Sequence, residues 1–386
     1  MDLNYYFDPV SLDKPDFELL PARALFGRNI HIHTPDTPVN NINNYDVAIL
    51  GVCEDRNSPN KGCSDGPDKI RTWLYQLSKP KKKFRIIDLG NIKKGENVED
   101  TYFALRDVVS ELLNQNVFPL VIGGSQDLTY GIYNVYKKES AFLNLVSIDS
   151  RIDWKNDPEL INSQNYLNKI ISGKEIPVQY YNIGHQDYLT DKKLLKELRQ
   201  KYFDSFRVGV VRSDIMEMEP VLRDAHIVSL DISAVRQSDS PGHFNPSPNG
   251  FYGEEICQLA KYAGQSDNLQ VFGIFEINPA LDINNQSSRL AAQIIWYLFE
   301  GMSQKIIENP AKQKNRFTKY IVNLSGVGKD IVFYKSNHTE RWWLKVPISK
   351  TNSVKAEFIA CTYKDYMKAS SQEIPDRWWK AFQKQG

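Results

Sequence analysis

Cysteine is scarce. Four residues, Cys53, Cys63, Cys257 and Cys361, are spread through 386 with no C-x-x-C pair. That excludes a zinc-ribbon signature and a disulfide framework, and leaves reduced, structural thiols as the reading. Long apolar runs are missing too. The longest stretches, such as residues 291–299 with a Gln inside, fall far short of the roughly 18 residues that a membrane span needs. The N-terminal stretch, Met1–Glu18, is mostly acidic where a signal peptide needs Lys or Arg ahead of an apolar segment, which predicts a cytoplasmic protein. No overall charge excess exists either: 48 Lys+Arg face 47 Asp+Glu, with 41% hydrophobic and 25% charged residues. Disordered, collagenous and membrane classes are thereby excluded.

The balance hides an asymmetry. From Asn309 onward 15 Lys+Arg face 6 Asp+Glu, a net +9, whereas the preceding residues carry 33 against 41, a net −8. Two pieces are therefore expected: a large unit over 1–308 and a basic extension over 309–386. In the large unit, β-branched runs alternate with amphipathic stretches. The runs Asp46–Cys53, Phe84–Leu89, Phe118–Ile122, Leu143–Ile148, Val178–Ile183, His226–Leu230 and Val271–Glu276 read as strands. Between them Pro67–Leu77, Val98–Asn116, Leu128–Lys137, Asp191–Lys201, Tyr252–Gly264 and Asn285–Met302 read as helices. The pattern predicts an α/β fold, a three-layer α-β-α sandwich around a mostly parallel sheet. In the extension, strands are expected at Phe317–Leu324, Asp330–Phe333, Trp342–Val346 and Val354–Thr362, and a closing helix at Asp376–Gln385.

Ligands of parallel sheets sit beyond the carboxyl ends of the strands. Four predicted strands run into polar groups there: Gly123-Gly124-Ser125-Gln126-Asp127, Asp149-Ser150-Arg151-Ile152-Asp153, Asp231-Ile232-Ser233 and Glu276-Ile277-Asn278-Pro279. Because side chains alternate along an extended chain, Asp149, Arg151 and Asp153 are expected to face one way, and Asp231 and Ser233 likewise.

These residues carry a resemblance. Together with Gly62-x-x-x-Gly66-Pro67-x-x-Ile70-Arg71, the Ser240-Pro241-Gly242 loop and Asp282, the chain from about Asp46 to Met302 resembles the ureohydrolases: arginases, agmatinases and formimidoylglutamases. The resemblance implies an arginase-like fold and hydrolysis of guanidino or formimino groups by two bridged manganese ions. It also implies changes at the ligand positions. Gln126 and Arg151 stand where the family has ligand histidines, and Ser233 where it has an acid, while Asp149, Asp153 and Asp231 match family acids. Glu276 matches the position that grips the cationic end of the substrate.

A guanidinium has no lone pair to donate and repels a divalent cation. Arg151 is therefore expected to replace the metal electrostatically within an Asp–Arg cluster. No cofactor is expected on this reading, and no catalytic residue; Gln126, Asp149, Arg151, Asp153, Asp231, Ser233 and Glu276 form a vestigial site in a binding or scaffolding protein. The alternative is a hydrolase of linear amidines with one Mn, Mg or Ca ion on Gln126, Asp149, Asp153 and Asp231, an oxygen set that suits hard cations.

Other signals are weaker. His185 and His243 lie near the rim and read chiefly as structural. The His31-Ile32-His33 pair cannot fill a coordination shell. Gly123-Gly124 lacks the context of a phosphate loop. Four of the seven tryptophans, in Arg341-Trp342-Trp343 and Arg377-Trp378-Trp379, fall in the extension. They read as packing against the large unit or as a protein-partner surface, ahead of nucleic acid. Homo-oligomers are common among the relatives, and no membrane insertion is expected.

Overall fold

The computed structural model describes residues 1–386 except 13–17, 19, 83, 139–142, 156–159, 174–177, 325–328, 348–355 and 385–386. The large unit runs β1 (Phe7–Asp8), β2 (His31–Ile32), β3 (Val47–Val52), α1 (Gly66–Leu74), β4 (Ile86–Ile92), α2 (Val98–Asn114), β5 (Phe118–Gly123), α3 (Leu128–Tyr133) and β6 (Leu143–Ile148). It continues with α4 (Leu167–Ser172), β7 (Val178–His185), α5 (Lys192–Gln200), β8 (Asp204–Arg207), α6 (Val208–Ser213), α7 (Glu219–Arg223), β9 (Ile227–Asp231), α8 (Gly253–Gly264), β10 (Val271–Phe275) and α9 (Gln286–Ser303). The extension adds β11 (Phe317–Leu324), β12 (Lys329–Ser336), β13 (Trp342–Pro347), β14 (Ala356–Cys361), α10 (Tyr363–Ser370) and α11 (Asp376–Lys384).

Strands β1-β4-β3-β5-β10-β9-β6-β7-β8 lie side by side in that order, with β2 also on β4. Only the β1–β4 pair is antiparallel. Strand β3 shows why this is a buried parallel sheet: all six residues are buried. Val47 and Ile49 enter one apolar core with α1, α6, α7, α8 and α9, while Ala48, Leu50 and Val52 enter another with α2, α3, α4 and α5. Apolar side chains on both faces require a helical layer on each. The expected three-layer sandwich is therefore the observed one.

Helix α1 is locked to the sheet by a buried fork. The Arg71 guanidinium, fully buried, donates through Nε to Asp88 Oδ2 at 2.9 Å and through Nη2 to Asp88 Oδ1 at 3.0 Å. This accounts for Arg71 in the Gly66–Arg71 motif.

Differences from the expected elements have local causes. The helix from Leu128 stops at Tyr133 and tightens into a 3-10 turn over Asn134–Lys138. Strands β1, β2 and β8 and helices α4, α6, α7 and α10 have two to eight residues, too few for periodicity to reveal. The strand expected at Asp330–Phe333 extends to Lys329–Ser336. Parts of two expectations, residues 354–355 and 385, lie outside the described residues.

Strands β11-β12-β13-β14 form a separate antiparallel sheet with its own core of Leu324, Ile331, Phe333, Trp342, Leu344, Val346 and Trp378. It packs on the β8–α7 region. Arg223 lies 4.3 Å from the Trp343 ring centroid and donates to the Trp342 and Cys361 carbonyls at 3.1 and 3.3 Å. Four cations of the extension reach acids of the large unit: Arg341 to Glu219, Arg377 to Glu217, Lys364 to Asp214 and Lys380 to Asp204. Part of the charge asymmetry is thus complementarity within the chain. Trp342, Trp343 and Trp378 are buried and Trp379 is exposed. Among the described residues no helix is long and apolar enough to cross a membrane.

Candidate functional site

The strands whose ends carry the predicted residues are neighbours in the sheet: β5, β10, β9 and β6. Register then aligns their ends. Leu230 pairs with Ile148, so Asp231 and Asp149 leave the sheet at the same level; Phe275 pairs with Asp231, so Glu276 stands one residue beyond. The Glu276 N–H donates to the Gly124 carbonyl at 2.7 Å. Two glycines make that approach feasible: a Cβ on Gly123 would strike the Phe275 ring, and one on Gly124 the Glu54 carbonyl.

Asp149 and Asp153 meet as a hydrogen-bonded carboxyl pair. Burial, followed by the charges of Asp153 and Asp231, pushes the Asp149 carboxyl well above its ordinary range. Burial also raises Asp153. Two like charges in so dry a place cannot both persist, so the pair holds a proton near neutral pH. Gln126 sits between them. With its amide turned to satisfy both ends, the nitrogen donates to Asp153 Oδ2 at 3.0 Å and Asp149 Oδ2 at 3.1 Å, and the oxygen accepts from Ser229 Oγ at 3.3 Å.

Asp231 ends β9 by capping a short turn, its Oδ1 accepting the Ser233 N–H at 2.6 Å. The Ser233 hydroxyl is 3.4 Å from Asp149 Oδ1 and 3.1 Å from Ser150 Oγ. Glu276 is buried with φ at +67°, a left-handed conformation that costs a non-glycine residue about 1–2 kcal/mol. Its carboxylate accepts from Asn60 Nδ2 at 3.0 Å, Ser58 Oγ at 3.2 Å and the Gln126 N–H at 2.9 Å. Burial, then the charge of Asp231, still pushes it up to about 8.

Six of the seven predicted residues therefore converge. Arg151 does not. Strand β6 ends at Ile148, the chain beyond it is irregular, and alternation no longer governs where side chains point. Among the described residues the Arg151 side chain forms no ion pair or hydrogen bond; its backbone N–H alone reaches Asp149 Oδ1, at 2.8 Å. The expected Asp–Arg ion pairing is not formed: the Arg151 charge acts on Asp153 only through space, and the two acids are hydrogen-bonded to each other. The side chain instead lines a cleft of about 530 Å³ together with Asp153. Glu276 likewise pairs with Ser58, Asn60 and Gln126 rather than with Arg151.

Sequence reading missed Ser58 and Asn60. Both lie in a loop without periodic pattern, far from Glu276 along the chain. His243 is buried, its Nδ1 accepting the Asn245 N–H at 3.1 Å; its loop is tied to Asn60 through the Phe244 N–H at 3.1 Å. His185 stands 3.4 Å from Asp187. The His33 ring bonds the Leu89 carbonyl at 2.8 Å, so it is not paired with His31 in a chelate.

No group of three or more His, Cys, Asp or Glu side chains is arranged, among the described residues, to hold a metal ion as it stands. The donor chemistry nevertheless fits one hard cation. Three carboxylates lie within electrostatic reach of one another, and the Arg151 charge acts on Asp153 without closing an ion pair on it. The Gln126 amide end lies against these acids; one orientation gives them its nitrogen, and the other presents its oxygen to a cation.

The sequence model of the arginase family matches residues 45–300. The formimidoylglutamase of Lysinibacillus sphaericus is 27% identical over 267 residues, covering 65% of this chain and 83% of that one. The crystal structure of Trypanosoma cruzi formiminoglutamase with Mn2+ superposes with a TM-score of 0.64 at 17% identity, covering 69% of this chain and 97% of that one. The Bacillus subtilis formimidoylglutamase gives 0.62 at 18% identity, covering 72% and 95%. The fold expectation stands, and the expectation that no cofactor is needed is overturned. The matching family is one of manganese hydrolases, a fold neighbour carries Mn2+, and Arg151, which was to make a metal unnecessary, closes no ion pair with the acids among the described residues.

Proposed function

Since this chain belongs to the arginase family, we propose that it hydrolyses a carbon–nitrogen bond of a linear amidine, of the formimidoylglutamate or guanidino type, with the help of one hard divalent ion. The observation that carries this reading is the convergence of Asp149, Asp153 and Asp231, buried, at the ends of adjacent strands, with no ion pair closed on any of them among the described residues. Asp149, Asp153, Asp231 and the Gln126 amide oxygen would hold the ion. When bound, it supplies the Lewis acidity that makes water a nucleophile near neutral pH.

The chain's own residues do the rest. Ser233 orients Asp149 through its hydroxyl. Glu276, fixed by Ser58, Asn60 and the Gln126 N–H, presents its carboxyl group to an amidinium nitrogen, whose positive charge would favour the ionised form. With an ordinary range near neutrality reached by burial, it is also suited to exchange a proton there. The cleft beside Asp153 admits a small molecule from solvent.

The test is metal analysis of the purified chain after Mn2+ loading and dialysis, with turnover measured on formimidoylglutamate, arginine and agmatine. About one ion per chain and release of formamide or of urea are expected. Asp231→Asn should weaken metal binding by on the order of 100-fold, because even partners that merely orient ligands contribute 10–100-fold. A chain that retains no metal and turns over none of the three substrates would overturn the proposal.

A further inference from the structure

The connection between α9 and β11 begins at the other end of the sheet from the acids. The Glu308 N–H donates to Asp267 Oδ2 at 2.9 Å, and Asp267 precedes β10, whose far end delivers Glu276. Beyond Glu308 the chain closes a turn. Asn309 fixes it, its Oδ1 accepting the Ala311 N–H at 2.9 Å and its carbonyl the Gln313 N–H at 2.9 Å. A 3-10 turn over Lys314–Arg316 follows, with the Arg316 N–H on the Gln313 carbonyl at 2.9 Å and the Arg316 carbonyl taking the Asn337 N–H at 2.9 Å. Phe317, next in line, is buried, its ring centroid 5.3 Å from that of Trp343. The turn is therefore held at both ends.

It wraps a cleft of about 410 Å³ lined by Ala311, Lys312, Gln313, Lys314, Asn315 and Arg316. That volume lies within the range of small-molecule sites, roughly 300–1,000 Å³. Three lining residues are cationic and none is acidic. The side chains of Lys312, Lys314 and Arg316 are exposed and, among the described residues, meet no carboxylate, carbonyl or ring. Other cations of the extension differ: Arg341, Lys364, Arg377 and Lys380 reach acids of the large unit, and Lys335 and Lys368 reach Glu340 and Asp376. Like charges that a fixed backbone holds side by side repel one another, so the arrangement works against the fold until an anion completes it.

The charge count selects the anion. A lone carboxylate would leave two of the three cations unanswered, whereas a phosphate group brings a charge of about −1.5 to −2 near neutral pH and three strong acceptor oxygens. A planar guanidinium takes two of those oxygens at once, and lysines add point charges around it. We propose that the turn over residues 312–316 binds the phosphate or diphosphate group of a small phosphorylated ligand. The site stands apart from the acid rim and is independent of the hydrolase reading.

Isothermal titration of the full chain with inorganic phosphate, pyrophosphate and tetraglutamate, at one ionic strength and in chelator so that no metal bridges the anion to the acids, tests the site. One pyrophosphate per chain is expected, bound about ten-fold more tightly than phosphate because it makes more charge-assisted bonds. Arg316→Gln should weaken pyrophosphate by about ten-fold, and the triple variant Lys312→Gln/Lys314→Gln/Arg316→Gln should lose it. The melting temperature of the triple variant, which strands no partner, should match that of the parent, so that lost binding reports the site and not the fold. Bound pyrophosphate should also slow tryptic cleavage of the parent after Lys312, Lys314 and Arg316. A parent that shows no saturable pyrophosphate binding, a triple variant that retains it, tetraglutamate that binds more tightly than pyrophosphate, or cleavage that is not slowed would each overturn the proposal.

Discussion

A carboxyl group buried among others of its kind stays charged only with a cation beside it, and at the pair Asp149–Asp153 burial and repulsion outweigh the Arg151 charge and favour the protonated form. Both acids and Glu276 are raised above their ordinary values, Glu276 to about 8. These three groups therefore bind more protons in the folded than in the unfolded chain from about pH 4 upward, and their contribution to stability falls as pH rises through that interval, against the opposite contribution of the buried His185, His226 and His243. In chelator, the melting temperature is expected to be higher at pH 5 than at pH 8. Mn2+ should narrow the gap, because a cation replaces the proton. A melting temperature in chelator that rises steadily from pH 5 to pH 8 would show that other groups dominate. Asp149, Asp153, Asp231 and Glu276 were legible in the sequence because strand ends can be found from apolar runs. The direction of Arg151 was not, because the chain beyond Ile148 no longer alternates.

Elements decide how closely such residues approach. Helices α8 and α9 cross at Gly264 and Gly301, where an added Cβ on Gly301 would run into the Lys261 carbonyl and one on Gly264 into the Leu298 carbonyl. Backbone cannot yield as a flexible side chain does, so Gly301→Ala is expected to cost about 1–3 kcal/mol, as overpacking generally does; urea denaturation measures it. A loss below a few tenths would mean that the helices can separate freely. Such close crossings explain why the long helices were found and their tight packing was not. Amphipathic periodicity marks which face is buried, whereas the distance between two backbones depends on a partner far along the chain. The same holds for Ser58 and Asn60, loop residues that gain a role only because β10 delivers Glu276 beside them.

At the scale of the molecule, the basic extension is fastened to the acidic unit by Arg223 and by four ion pairs. Exposed ion pairs contribute little individually. Arg223 differs: it is buried, pairs with Glu219 at 3.1 Å, stacks on Trp343 and caps two carbonyls of the extension. Arg223→Ala should therefore destabilise by roughly 3–5 kcal/mol, the cost of breaking a buried pair, and speed limited proteolysis in the connection at residues 305–313. Unaltered cleavage there would place the fastening elsewhere. We propose that the exposed remainder of the extension, including Trp379, is where a protein partner would bind.

Composition, apolar runs and strand-end motifs by themselves determined a parallel α/β sandwich, a basic extension and an acidic rim. Each depends on local pattern or on residue identity, which a linear chain displays. Only the tertiary structure decided that Asp149 and Asp153 are hydrogen-bonded to each other, that the Gln126 amide lies against them, and that Arg151 faces a cleft. These outcomes depend on solvent exclusion and on side-chain directions past the last hydrogen-bonded strand residue, and both are set by segments distant in sequence.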